Sequence, residues 1–162
     1  MGLSATAFWP GFCTAADLQS HQSAPSMSSM ILDKDSRPFF IKSFQGRPLL
    51  INFWATWCPP CVAELPALDR AAEVLAGIVS VLLVSVDRGG NIRALPFLSD
   101  RGISRPHLAF DPKGALSREM GVRGLPTSFL LSGDQNHIWT YIGPREWDNP
   151  AMIAELRHKI ES

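Results

Sequence analysis

Two cysteines separated by two residues, in Trp54-Ala55-Thr56-Trp57-Cys58-Pro59-Pro60-Cys61, are the chemically loaded feature of this chain. That spacing lets Cys61 turn back onto Cys58 and close a disulfide. If the segment opens a helix, Cys58 faces unpaired N–H groups and the positive end of the helix dipole. Its thiol pKa then falls below the ~8.5 of a free cysteine, and more reactive thiolate is present at neutral pH. Pro59 and Pro60 suit a first helical turn, where missing N–H groups cost little. Two other chemistries compete. A structural zinc site needs a second ligand pair, and the sequence offers only Cys13 and the isolated His21, His107, His137 and His158. A purely structural bridge across so small a loop would add little by chain entropy. A C-x-x-C beside a βαβ pattern reads as redox-active. No cofactor and no metal is expected.

The elements that must hold this pair are legible on both sides of it. Leu49-Leu50-Ile51-Asn52-Phe53-Trp54 is a short, nearly all-apolar run, suited to a central strand buried on both faces. Val62, Leu65, Leu68, Ala72 and Leu75 then recur at helical spacing, and Gly77 ends the helix. Ile78 to Val86 reads as a second buried strand, parallel to the first across a right-handed crossover. Phe39 to Phe44 reads as an earlier strand, ended by the turn residues Gln45-Gly46-Arg47-Pro48. Downstream, the sequence predicts a helix from Asn91 to Arg101, capped by Asn91 and interrupted by Pro96. A short strand follows at His107–Phe110, and Asp111-Pro112 opens another helix ending near Gly121. Thr127–Leu131 and Ile138–Ile142 form a hairpin. A last helix is capped by Asn149, with Pro150 at its first position and Ile153, Leu156 and Ile160 as its stripe.

The whole chain has 162 residues, one domain's worth with a short extension. Fifteen basic residues balance fifteen acidic ones, so no global field draws in nucleic acid or an anionic membrane. No apolar run approaches the roughly 18 residues of a membrane-spanning helix. Residues 1–30 read as an N-terminal extension distinct from a domain at 31–162. An apolar stretch from Ala5 to Cys13, followed by Thr14-Ala15-Ala16, resembles the end of a secretory signal. No Lys or Arg precedes Lys34, however, and Pro10-Gly11 break the run. A degraded export signal or anchor and a disordered tail both remain open. Met1 to Thr6 formally fits a myristoylation pattern. Cys13 lacks the small preceding residue that lipid attachment favours, and is expected to be removed or disordered.

A second signature completes the pattern: Gly121-Val122-Arg123-Gly124-Leu125-Pro126-Thr127. With Trp57-Cys58-Pro59-Pro60-Cys61, it makes residues 31–162 resemble the thioredoxin superfamily, and within it the TlpA/ResA-like thiol-disulfide reductases. The resemblance implies an α/β, thioredoxin-like three-layer fold, with a mixed central sheet flanked by helices. It implies a cis bond before Pro126, a kink of the active helix at Pro66, and an acid at Glu64. Gly143-Pro144-Arg145-Glu146-Trp147 is similar to alphaproteobacterial TlpA proteins. Two departures stand out. Thioredoxins proper carry a buried Asp where this chain has Asn52, which cannot take a proton from Cys61. Glu64 can do so instead, since i, i+3 spacing sets it beside Cys61; the plainer alternative is an exposed helix carboxylate. Thr127 stands where the cytochrome c maturation branch often has Glu.

Function follows as a set of expectations. Cys58 is the exposed nucleophile and Cys61 the shielded resolving thiol. Glu64, in an apolar setting with a raised pKa, deprotonates Cys61. Trp57, Leu125, Pro126 and Thr127 meet the client, and Trp54 belongs to the core. The resemblance implies a monomer that reduces disulfides of periplasmic proteins, either free or anchored through its N-terminus. Cytochrome oxidase copper-site assembly factors or apocytochrome c would be clients, and an upstream thiol protein the electron donor. The alternatives are a cytosolic thioredoxin-type general reductant and a thiol-based copper chaperone, which would want a histidine ligand and a wider cysteine spacing. Seven basic residues against three acidic between Arg88 and Arg123 read as a solvated face that could greet an acidic partner.

Overall fold

The computed structural model describes residues 19–21 and 24–161. The export-signal, myristoylation and Cys13 readings lie outside the described residues. In chain order the strands are β1 (Gln19–His21), β2 (Ile31–Leu32), β3 (Pro38–Phe39), β4 (Leu49–Trp54), β5 (Ser80–Ser85), β6 (His107–Phe110), β7 (Thr127–Leu131) and β8 (Ile138–Ile142). The helices are α1 (Pro59–Val74), α2 (Gly90–Ser99), α3 (Ala115–Glu119) and α4 (Pro150–Glu161). They build a mixed sheet in the order β1-β8-β7-β4-β5-β6-β2-β3. β4 pairs parallel with β5, and β5 parallel with β6, as helical crossovers require. β4 pairs antiparallel with β7, and β7 with β8, as a hairpin requires.

The central position of β4 explains its composition. All six of its residues are buried, and because side chains alternate across a strand they feed two different cores. Leu50 and Trp54 pack with Leu65 and Leu68 of α1, Ala94 and Leu98 of α2, and Ile153 and Leu156 of α4. Leu49, Ile51 and Phe53 pack on the other face with Leu116 of α3 and with Met27, Ile31 and Ile41. The result is a thioredoxin-like arrangement of three layers, helix–sheet–helix. Asn52 and Ser128, register partners on β4 and β7, are the polar interruption of the α1 face.

Several elements differ from the sequence reading. Phe39–Phe44 is not one strand: pairing stops at Phe39, and Ile41–Phe44 winds into a 3₁₀ turn that buries Ile41. Asn91 lies inside α2 rather than capping it. Gly89 takes the cap position, and the Asn91 amide donates to the Lys34 carbonyl and Ser36 Oγ. The third helix starts at Ala115, later than Asp111-Pro112. The Asp111 carboxylate accepts from the N–H groups of Ala115 and Ser117 and so ties down its first turn. Residues 24–30 lie against the sheet: Met27 is buried, and Ser28 and Ser29 hydrogen-bond the Glu119 carboxylate. Among the described residues no helix is long and apolar enough to cross a membrane.

Candidate active site

β4 delivers the chain to the start of α1, where Cys58 is the N-cap and Pro59-Pro60 fill the first two positions. The first intrahelical bond runs from the Val62 N–H to the Cys58 carbonyl, 3.0 Å. Cys58 and Cys61 are joined as a disulfide with Cα atoms 5.3 Å apart. Cys58 is 5% exposed and Cys61 is 0% exposed. Cys61 is the deeper of the two, and Cys58 is itself buried in the disulfide state rather than exposed as the sequence reading expects. An N-cap side chain normally accepts from the N–H of the second or third helical residue. Pro60 removes the former, so the Cys61 N–H is the one that remains for a Cys58 thiolate. The helix start therefore stabilises that thiolate less than an unprolinated turn would.

The segment leading into Cys58 is fixed from below. Asp87, at the end of the β5 loop and 2% exposed, accepts from the Thr56 N–H and from the hydroxyls of Thr56 and Ser85. Trp54 is in the core, whereas Trp57 is 66% exposed at the rim of the disulfide. The Leu125–Pro126 bond is cis. Pro126 is buried, and Leu125 packs against the cluster that contains both cysteines. Thr127 is buried, its hydroxyl donating 2.7 Å to the Gly124 carbonyl, so its side chain ties this turn together.

Glu64 is not an exposed helix carboxylate; it is 4% exposed on the face of α1 that meets the sheet. Nor are its surroundings merely apolar. Asn52 Nδ2 donates to Oε1 at 2.6 Å, while the Arg145 N–H and Trp147 Nε1 each donate to Oε2 at 3.0 Å. Burial pushes the carboxyl above its ordinary value of 4.5, and these hydrogen bonds and the Arg145 charge offset it only in part. A carboxyl poised in this way can take a proton from a neighbouring thiol and give it up again. Asn52 donates from the same nitrogen to Ser128 Oγ, 2.9 Å, and its Oδ1 is buried without a partner.

Asp87 and Trp147 were not singled out by sequence reasoning as site residues. The alternation Ser85-Val86-Asp87 at the end of an apolar strand was the available sign of an inward polar cluster. For Trp147 no local pattern could show a partner 83 residues away.

A dithiol at the start of a helix, beside a cis-proline turn on a thioredoxin-like sheet, defines a thiol-disulfide exchange protein. The comparisons agree. The Redoxin family model matches residues 19–156, and the chain belongs to that family. It is 37% identical over 113 residues to the thiol:disulfide interchange protein DsbE homolog of Paracoccus denitrificans, covering 68% of this chain and 60% of that protein. It is 37% identical over 124 residues to DsbE of Vibrio cholerae, covering 72% of this chain and 62% of that protein. The chain thus spans less than two thirds of the length of these relatives. A solved structure described as a thiol:disulfide interchange protein DsbE from Chlorobium tepidum superposes with a TM-score of 0.70 at 28% identity, covering 90% of this chain and 97% of that one.

Proposed function

We propose that this protein is a dithiol reductant of the TlpA/ResA-like type that opens disulfides in periplasmic proteins. The observation that carries the proposal is the disulfide across the first turn of α1, with Cys58 at the N-cap, Cys61 fully buried and Glu64 on the same helix. In the reduced protein the Cys58 thiolate attacks a client disulfide, and one client sulfur leaves as thiolate. Glu64 accepts the Cys61 proton; the Cys61 thiolate then attacks Cys58 Sγ and releases the second client sulfur. The protein ends oxidised, and an upstream thiol protein returns it to the dithiol.

The direction is supported by Pro60. A strong oxidant stabilises its reduced, thiolate form, whereas Pro60 withholds one of the two capping donors from the Cys58 thiolate. Trp57 and the Leu125-Pro126-Thr127 turn receive the client. The relatives named as thiol:disulfide interchange proteins support the reaction class. The periplasm, and copper-site assembly factors or apocytochrome c as clients, rest on the sequence resemblance. Equilibration of the Cys58–Cys61 pair with glutathione across graded redox buffers tests the direction. A potential near or below ~−250 mV supports a reductant, and a value near ~−120 mV makes the protein an oxidant.

A further inference from the structure

Glu64 does not open toward the client. Its carboxyl borders a groove of about 650 Å³ between α1 and residues 144–150, lined by Ala63, Ala67, Arg70, Pro144 and Arg145 among others. None of Trp57, Cys58, Leu125, Pro126 or Thr127 lines it. On the inner side of the groove Trp147 is 0% exposed, its ring edge-on to Tyr141 at 5.4 Å between centroids. Its Nε1–H and the Arg145 N–H converge on Glu64 Oε2, while Asn52 holds Oε1 from β4. Both oxygens are thus pinned by donors from separate parts of the fold.

We propose that Trp147 is a positioning residue which, with the Arg145 amide, fixes Glu64 between Cys61 and this groove. The proton given up by Cys61 then leaves on a face that a docked client does not cover. The inference rests on the proton-accepting role proposed above for Glu64. In the resolving step the Cys61 S–H bond breaks and its proton passes to Glu64. The Cys61 sulfur bonds to Cys58 Sγ, and the Cys58–client bond breaks with its electron pair on the client sulfur. Glu64 then passes the proton to water in the groove, and solvent protonates the client thiolate. Overall two cysteines are oxidised to a disulfide and one client disulfide is reduced.

Asn52 suits both states of the acid. Its amide donates to the carboxylate as seen, and its unpartnered Oδ1 becomes the acceptor for protonated Glu64 when the amide turns over. The charged groups around the site are Arg145, Glu146 and Asp148 from the loop and Arg70 from α1, which is ion-paired with Asp148. β4 and β7 present only the uncharged Asn52 and Ser128.

Trp147→Phe keeps the ring and removes one donor to the carboxylate, so the Glu64 pKa should rise further. With a client peptide linked to Cys58, the half-maximal pH for its release should move up by about one unit, and release below that pH should slow roughly tenfold. The first attack by Cys58 should keep its rate, and in a Glu64→Gln background the second substitution should add nothing. Glu64→Gln slowing release while Trp147→Phe leaves the pH profile in place overturns this inference alone. Glu64→Gln without effect on release overturns the Glu64 reading and this inference with it. If Trp147→Phe fails to fold, the native protein decides through the Trp147 indole N–H resonance. Its shift should titrate with Glu64 and stop doing so in Glu64→Gln; a pH-independent resonance overturns the proposal.

Discussion

Glu64 and Asp69 sit five residues apart on α1, and each is 4% exposed. Each carboxylate also accepts three hydrogen bonds, yet the two are pushed in opposite directions. The contacts of Glu64 are all neutral donors, which do not overcome burial, and its pKa rises. Asp69 lies nearer the surface, and burial penalises its charge less. The N–H groups of Arg105 and Ser104 and the Arg105 guanidinium outweigh that penalty and hold the group below its ordinary value of 3.8. Depth beneath the surface and the kind of donor, two main-chain amides first and the guanidinium after them, separate the lowered acid from the raised one, although each accepts the same number of bonds. Asp69 fastens α1 to the loop before β6; Glu64 ties α1 to β4 and to the loop before α4.

The largest effect should come from breaking the fixed acid. Asp69→Asn leaves Arg105 with only its exposed Glu73 partner and weakens the tie to two main-chain amides, so it should cost about 2 kcal/mol. The urea midpoint at neutral pH measures this, and client release should stay at its normal rate; slowed release would blur the contrast between the two acids.

A smaller effect should appear in the pH dependence of stability. Because the Asp69 pKa is lowered on folding, its contribution is present above 3.8 and is lost as pH falls through the lower folded value. Because the Glu64 pKa is raised, the folded state holds the proton more tightly, and stability declines as pH rises from 4.5 through the folded value. Glu64→Gln should remove that decline in urea titrations run from pH 4 to pH 7. A difference from the parent protein that is constant with pH would mean that Glu64 is not raised at all.

The smallest effect belongs to Arg105→Gln. Its side chain is 45% exposed and its ion pairs are screened by solvent, so the loss of stability should be slight. The Asp69 carboxyl should nonetheless relax upward in a carboxyl NMR titration, toward the behaviour of Glu64. An unmoved Asp69 would assign its depression to the two amides rather than to the guanidinium.

What the sequence disclosed divides along the same physical line. β4, β5 and β7 announce themselves as largely apolar runs because they are buried on both faces, and the half-buried β8 is legible as the hairpin partner of β7. α4 is legible from Asn149, whose side chain does accept from the Ala151 N–H. β1, β2 and β3 are two or three residues long, and β3 begins at Pro38. β1 and β2 depend on pairing with the distant β8 and β6, which no local pattern encodes, and β3 pairs only with the two-residue β2. Phe39 to Phe44 has the composition of a strand, but burial of Ile41 favours a tight turn there. In the site, the cysteine spacing and Glu64 are written in one helical turn. The donors around Glu64 are not, because Asn52 and Trp147 reach it from 12 and 83 residues away.

The borders of the sheet carry a consequence for self-association. On one side β8 is shielded by β1, whose Gln19, Ser20 and His21 face Thr140, Trp139 and Ile138. On the other, the outermost strand is the two-residue β3 with a proline in it. Among the described residues, neither border offers a long free row of N–H and C=O groups to a second copy. A chain that lost residues 19–21 would bare the outer side of Ile138–Thr140 at once, and it should aggregate edge to edge at concentrations where the intact protein stays dispersed.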